Sequence, residues 1–117
     1  MNVKGSGIMK NKKYGDPMFY ELLDKMAEIH SNKNHDYAGE DPLSNFLLCE
    51  QMGIPAWKGA LVRMTDKVSR LWSFAKKSEY LVNETIEDTL IDLAIYSLIT
   101  IILYRRKINE KHNKKHS

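Results

Sequence analysis

The chain has little of what cross-links, interrupts or anchors a protein. It has one cysteine and three prolines in 117 residues. A single cysteine, Cys49, excludes an internal disulfide, which fits a reducing compartment. The apolar residues 46–48 that precede it indicate a buried thiol rather than a nucleophile.

Long apolar runs and familiar catalytic motifs are also missing. The longest apolar run, Leu93–Tyr104, is bounded by Asp92 and Arg105 and is shorter than the roughly 20 residues of a membrane-spanning helix. Residues 1–13 lack the apolar region of a secretion signal. No P-loop glycine pattern, zinc-ligand spacing or Gly-x-Ser-x-Gly motif is present. We therefore expect a cytoplasmic protein with no membrane partner.

Positive charge is confined to the two ends of the chain. Residues 1–13 carry four lysines and no acid, and residues 105–117 carry six basic residues and one acid. The middle, residues 14–104, holds 8 basic and 14 acidic residues, a net charge of −6. Proteins that bind nucleic acid usually carry positive charge on the folded surface, so this partner is not expected. An acidic middle is better suited to a divalent cation.

Helical signals follow one another along the chain, and no strand-like alternation appears. Asp16-Pro17 predicts a helix that ends near residues 31–34. Asp41-Pro42 repeats this signal before a short helix to about Met52, with Gly53 as its stop. A third helix is predicted over residues 55–77, and a fourth over 84–108, capped by Asn83. The sequence thus predicts an all-α, four-helix fold.

The fourth helix is apolar nearly all round between Leu93 and Tyr104. Such a helix has to be covered on every side, and one short chain has few other helices to cover it. We therefore expect an oligomer with this helix at its centre.

Three acids form a stripe at the start of the fourth helix. Glu84, Asp88 and Asp92 are spaced four residues apart, which places them on one helix face. Like charges at this spacing repel, and carboxylate clusters suit Mg²⁺ or Mn²⁺. A solvated acidic face, or pairing of Asp92 with Arg63 or Arg70, explains the same pattern, and both interpretations stay open.

The third helix and a polar loop supply further candidates. Asp66 and Arg70 have the spacing of an intrahelical ion pair, but Asp66 could also bind a metal, and Lys67 or Arg70 could bind phosphate. Residues 33–41 form a polar loop, for which a plain surface loop is the simplest interpretation. The candidates for substrate contacts in and after this loop are Lys33, Asp36, Tyr37 and Asn45.

Four stretches together resemble a phage and bacterial family, nucleotide modification associated domain 1. They are KNHDY (33–37), DPLSNF (41–46), RMTDKVSRL (63–71) and ETIEDTLIDLAIY (84–96). The resemblance covers about residues 18–104. The second half is also similar to the MazG-like all-α nucleotide pyrophosphohydrolases, which cleave nucleoside triphosphates to monophosphate and pyrophosphate.

The MazG-like resemblance implies a bundle that assembles as a dimer or tetramer and binds Mg²⁺ through acids on two helices. It implies that Asp88 and Asp92 stand for the second acidic pair, and Asp66 for one acid of the first pair. The chain departs from that pattern because Val62 and Arg63 stand one turn before Asp66. Its second acidic pair is also spaced by four residues rather than three. A nucleotide-binding module without catalysis is therefore the alternative to an enzyme.

The resulting hypothesis is a Mg²⁺-dependent (or Mn²⁺-dependent) nucleoside triphosphate pyrophosphohydrolase in the cytoplasm, or in the host cytoplasm if a phage encodes it. Residues 14–108 would form its domain, between flexible basic tails at 1–13 and 109–117. Asp66 and Asp88 are the predicted catalytic residues. The predicted metal ligands are Asp66, Glu84, Asp88 and Asp92. The predicted substrate contacts are Lys33, Asp36, Tyr37, Asn45, Lys67 and Arg70.

Overall fold

The computed structural model describes residues 14–35, 41–77 and 84–116. The predicted N-terminal tail 1–13 and the connection 78–83, with Asn83, lie outside the described residues. Two compact units make up the chain, residues 1–40 and 41–117. The described residues form helices and turns without a strand, so the all-α prediction is confirmed.

In the first unit, helix α1 spans Pro17–Lys33, as predicted. Its start is fixed by Asp16, whose Oδ1 accepts a hydrogen bond from the Met18 backbone N–H at 2.9 Å, as an N-cap does. Its end is fixed by Asn34, whose Nδ2 donates to the His30 carbonyl at 2.8 Å. Both ends are therefore set by residues that the sequence marks as helix boundaries.

The second unit begins with a shorter α-helix than predicted. Helix α2 covers only Ser44–Leu47, and a 3-10 segment, Leu48–Met52, continues it. Asp41 does not cap the helix; its Oδ1 accepts from the Leu43 N–H at 3.0 Å, which makes a turn before α2. Gly53 ends the 3-10 segment with a φ of 81°, so the predicted stop is confirmed.

Helix α3 spans Ala56–Lys76, and helix α4 spans Glu84–His116. The predicted end of α4 near residue 108 was wrong, because the helix continues through most of the predicted basic tail. Glu110 explains this extension in part, since it pairs with Lys107 at 3.9 Å and with Lys114 at 3.6 Å. Cations near a helix C-terminus also interact favourably with its dipole.

Helices α3 and α4 pack against each other in antiparallel order. Trp57, near the start of α3, stacks edge-on against Tyr104 with ring centroids 5.3 Å apart. Further along α3, Met64 Sδ lies 3.5 Å from Thr100 Oγ1. The α2 end of the unit joins the same core through Leu43 and Phe46. The buried apolar residues are Leu43, Phe46, Ala56, Ala60, Ile95, Ile99 and Leu103.

The opposite side of α4 is apolar and exposed. At 100° per residue, Leu98 and Ile101 point away from the buried side of the helix, and they are 50% and 45% exposed. Trp72 of α3 is 65% exposed. The all-round apolar character of α4 therefore leaves a second apolar face beyond the one that α3 covers. None of the described helices is long and apolar enough to cross a membrane.

Gly59 is required where α3 passes the 3-10 segment. A Cβ at this position would lie 2.7 Å from Cys49 Sγ, well inside van der Waals contact. We expect Gly59→Ala to destabilise the protein by about 1–3 kcal/mol, as overpacking does, despite the better helix propensity of alanine. Urea unfolding of the single variant measures this loss.

The matched variant is Gly59→Ala combined with Cys49→Ala, which removes the clashing sulfur atom. The double variant should regain most of the lost free energy of unfolding. A single Gly59→Ala variant as stable as the wild type would contradict the packing described here.

Asp41 also ties the start of the second unit to α4. Arg106 Nη1 and Nη2 donate to its two carboxylate oxygens at 2.8 and 3.3 Å. The Leu43 backbone N–H, and then the Arg106 guanidinium, lower the pKa of Asp41 below its ordinary value of 3.8. Because the folded pKa is the lower one, the ionised carboxylate contributes stability above pH 3.8 that is lost as the pH falls through the folded value.

We therefore expect Asp41→Asn to have a lower urea midpoint than the wild type at pH 6. Below pH 3.8 the midpoints of the two proteins should approach each other. Urea titrations across pH 2–7, on both proteins, measure this difference. Glu87→Gln, an exposed acid of α4, controls for the loss of one negative charge. An Asp41→Asn deficit that is equal at every pH would contradict a role for the ionised carboxylate.

Candidate functional site

The candidate site lies on the facing sides of α3 and α4, where a lysine meets one acid of the predicted stripe. Lys67 Nζ donates a hydrogen bond to Asp92 Oδ2 and forms an ion pair with it. The two side chains are 14% and 28% exposed. This ion pair joins α3 to α4 in the described part of the chain, and it is partly shielded from water.

An aromatic pair lies beside this ion pair. Lys67 Nζ is 4.6 Å from the centroid of the Tyr96 ring, a distance at which the ring face attracts a cation. Tyr96 in turn stacks edge-on against Phe46, with centroids 5.5 Å apart. The Arg63 guanidinium lies 4.7 Å from the centroid of Phe46. Two cations of α3 are thus held against two aromatic rings from α4 and α2.

We call these five residues, Lys67, Asp92, Tyr96, Phe46 and Arg63, the Lys67 cluster. Its local cause is helix spacing: Arg63 and Lys67 are one turn apart on α3, and Asp92 and Tyr96 are one turn apart on α4. Antiparallel packing of the two helices then brings the two pairs together. The cluster combines positive charge, one carboxylate and aromatic surface in one place.

The other predicted acids lie around this cluster. Asp88, one turn before Asp92, is exposed, and so is Asp66. Neither makes a hydrogen bond or an ion pair with another residue that the structure describes. Asp66 precedes Lys67 and points about 100° away from it around the α3 axis. The predicted Asp66–Arg70 ion pair does not form among the described residues.

The sequence analysis offered Arg63 or Arg70 as an ion-pair partner of Asp92. In the structure Asp92 pairs with Lys67 instead. Within the described part of the chain, no group of three or more acids, histidines or cysteines is placed to hold a metal ion. The Glu84 side chain lies outside the described residues.

The predicted substrate contacts are divided between the two units. Asp36 and Tyr37 lie outside the described residues, and Lys33 is exposed at the end of α1. Asn45 is exposed in α2, directly before the buried Phe46. Arg70 is exposed on α3, one turn beyond Lys67. Of these residues, only Lys67 is part of the Lys67 cluster.

Phe46 and Tyr96 are the cluster residues that the sequence reasoning missed, and Tyr96 carried a signal that could have found it. It continues the stripe of Glu84, Asp88 and Asp92 at the same spacing of four, so the signal was present. The sequence reasoning considered only the acids of this stripe as candidates, although an aromatic ring on the same face can also attract a cation.

A separate cavity lies at the other end of the α3–α4 pair. It has a volume of about 170 Å³ and lies beside Trp57, with Glu50, Arg106, Lys107 and Glu110 among its charged residues. The acids and bases balance, and Arg106 is already bound to Asp41. Pockets for drug-sized ligands usually measure roughly 300–1,000 Å³, so this cavity is too small for a nucleotide.

Part of the chain is similar to a known protein family. The sequence profile of a family described as nucleotide modification associated domain 1 matches residues 55–103. The match spans α3 and α4 as far as Leu103, and so includes four of the five members of the Lys67 cluster, all except Phe46. It does not extend to the 33–46 region. No curated protein and no solved structure matches the chain.

Proposed function

We propose that this protein hydrolyses (deoxy)nucleoside triphosphates to monophosphate and pyrophosphate with the help of Mg²⁺ or Mn²⁺. The main support is the Lys67 cluster, which brings two cations of α3 to one carboxylate of α4, the two helices that the family profile matches. The resemblance of α3 and α4 to MazG-like pyrophosphohydrolases suggests the reaction. Such a reaction belongs to nucleotide-pool or modified-nucleotide metabolism in a bacterium or a phage-infected cell, and hence to the cytoplasm.

The donor set suits a magnesium ion. Mg²⁺ prefers oxygen ligands and is commonly held by one or two carboxylates together with substrate phosphates. Asp88 is exposed, and Asp92 already has a positive charge, the Lys67 ammonium, at its carboxylate. A carboxylate that pairs with an ammonium can also pair with a metal cation. Asp88 and Asp92 would therefore hold the metal, with Asp66 and Glu84 as further proposed ligands.

The roles of the other side chains follow from their charge and position. When bound, the metal ion would offset negative charge on the phosphate oxygens. Lys67 and Arg70 would bind phosphate oxygens through charge-assisted hydrogen bonds. Asp66 or Asp88, whichever binds the metal through one oxygen only, would accept a proton from the attacking water through its other oxygen. We propose Lys33, Asp36, Tyr37 and Asn45 for contacts to phosphate, base or sugar.

A second candidate function is nucleotide binding without hydrolysis. Two observations favour it: Asp92 is neutralised by Lys67, and the described residues hold no cluster of three acids. A binding module would be stabilised by a nucleotide and would release no pyrophosphate. Thermal melting with and without dNTPs, alongside a pyrophosphate assay, separates the two functions.

The catalytic proposal predicts that wild-type protein releases pyrophosphate from dNTPs in the presence of Mg²⁺. Asp88→Asn should lower kcat/KM by about a hundredfold or more, since it removes a carboxylate proposed to bind metal or accept a proton. Glu87→Gln, the neighbouring acid outside the stripe, should retain wild-type activity. Absence of turnover on every dNTP by folded wild-type protein would contradict the enzyme and favour the binding module.

We further propose that the protein is a homo-oligomer, a dimer or tetramer, in which another copy covers the outward face of α4. The exposed apolar residues of this face are Leu90, Leu98, Ile101 and Ile108. Apolar faces of this kind commonly mark sites of association. Nucleic acid is not a proposed partner.

This assembly predicts that Leu98→Glu lowers the molar mass in solution to that of the 13.6 kDa chain, because a buried unpaired carboxylate is costly. Light scattering coupled to size exclusion measures the mass. Asn109→Glu, on an exposed polar position of the same helix, should leave the mass of the oligomer unchanged. A wild-type protein that is monomeric at high concentration would contradict the proposal.

A further inference from the structure

We propose that Lys67 is a resident counter-ion that competes with a divalent cation for the Asp92 carboxylate. The inference rests on the proposed function, because that function places a divalent cation at Asp88 and Asp92. It adds a property that the proposed function does not contain. A divalent ion binds weakly to the protein alone, and it binds tightly only after the Lys67 ammonium has been displaced from Asp92.

Lys67 occupies the carboxylate at which a divalent cation would bind. Its ammonium bonds to Asp92 Oδ2, and its side chain is only 14% exposed. A lysine held this way neutralises the carboxylate that a cation would otherwise find. Two cations on one carboxylate repel each other, and partial burial strengthens this repulsion, so a divalent ion would have to displace the ammonium.

An aromatic ring also holds Lys67 in this position. The Tyr96 ring, 4.6 Å from Nζ, offers the ammonium a second attractive contact in its present position. Tyr96 is itself fixed by its edge-on contact with Phe46. The lysine is thus held in place by a carboxylate and a ring together, which raises the free-energy cost of displacing it.

A polyphosphate offers the displaced Lys67 a new anionic partner, which a free metal ion does not. Its oxygens would accept hydrogen bonds from the Lys67 ammonium, so the lysine exchanges one anion for another when the metal takes Asp92. Binding of metal and of polyphosphate is then coupled, and each raises the affinity of the other by the same factor. The protein would therefore bind a metal–nucleotide complex far better than either component alone.

The direct test is Mn²⁺ binding in the absence of nucleotide, followed by electron paramagnetic resonance of the free ion. Lys67→Met, which keeps the apolar stem and removes the charge, should bind Mn²⁺ at least tenfold more tightly than wild type. Lys58→Met is the matched control, because Lys58 also belongs to α3 and also contacts an aromatic ring, Trp57, at 5.5 Å. Its Mn²⁺ affinity should equal that of the wild type.

A double variant separates competition from a general change in charge. Lys67→Met combined with Asp92→Asn should lose the gain in affinity, because no carboxylate is left at that position to compete for. An unchanged affinity in Lys67→Met, a gain that persists without Asp92, or no Mn²⁺ binding by either protein would overturn the inference.

A measurement on the unsubstituted protein covers the case in which Lys67→Met does not fold. In protein labelled with ¹³C-lysine, the Tyr96 ring should shift the Lys67 ε-CH₂ signal upfield, and Lys67→Arg assigns that signal. Saturating Mg²⁺ together with a non-hydrolysable dNTP analogue should move the signal to the position of an exposed lysine. A signal that stays in place when both are bound would overturn the inference.

These tests are independent of turnover. If the wild type releases pyrophosphate but Lys67→Met gains no metal affinity, the inference fails and the proposed function stands. If Lys67→Met gains metal affinity and no dNTP is cleaved, the inference stands and the proposed hydrolysis fails.

Discussion

The antiparallel packing of α3 on α4 is the constraint on which the rest of the second unit depends. Ala60, a small residue fully buried in α3, lets the two helices approach closely. Ile95, Ile99 and Leu103 then fill the interface on the α4 side. Since the helices run in opposite directions, this register fixes which residues meet: Trp57 lies against Tyr104 at one end, and Lys67 lies against Asp92 at the other.

The polar cluster is a consequence of that register. Even a partly shielded carboxylate is costly unless a cation or hydrogen-bond donors compensate it. Lys67 supplies the cation, and Tyr96 holds the lysine in place. The pair is expected to contribute little to stability on its own, because desolvation offsets much of the attraction. The proposed function uses the same two groups, the ammonium and the carboxylate, to bind charged ligands between α3 and α4.

Much of the fold is readable from the sequence, and the exceptions have physical causes. Asp16-Pro17 and Gly53 fixed boundaries correctly because their chemistry is local. Asp41 was misread, since its carboxylate bonds to Leu43 and Arg106 instead of capping α2. The length of α4 was underestimated because Glu110 supports the helix through side-chain pairs that composition alone hides. A partner 65 residues away, such as Arg106 for Asp41, is not visible in local patterns.

The candidate site was predicted only in part for the same reason. The stripe from Glu84 to Asp92 follows from helix periodicity, but the identity of its partner on α3 depends on the relative rotation of two helices. One step of about 100° separates Asp66 from Lys67, and that step decides which of them reaches Asp92. Tyr96 shows the converse, because it could have been found by extending the stripe one more turn.

A crystal structure with Mg²⁺ and a non-hydrolysable dNTP analogue tests the central claim most directly. We expect the metal at Asp88 and Asp92, and the phosphates within hydrogen-bonding distance of a displaced Lys67. An analogue bound elsewhere, with the Lys67–Asp92 ion pair intact, would contradict it.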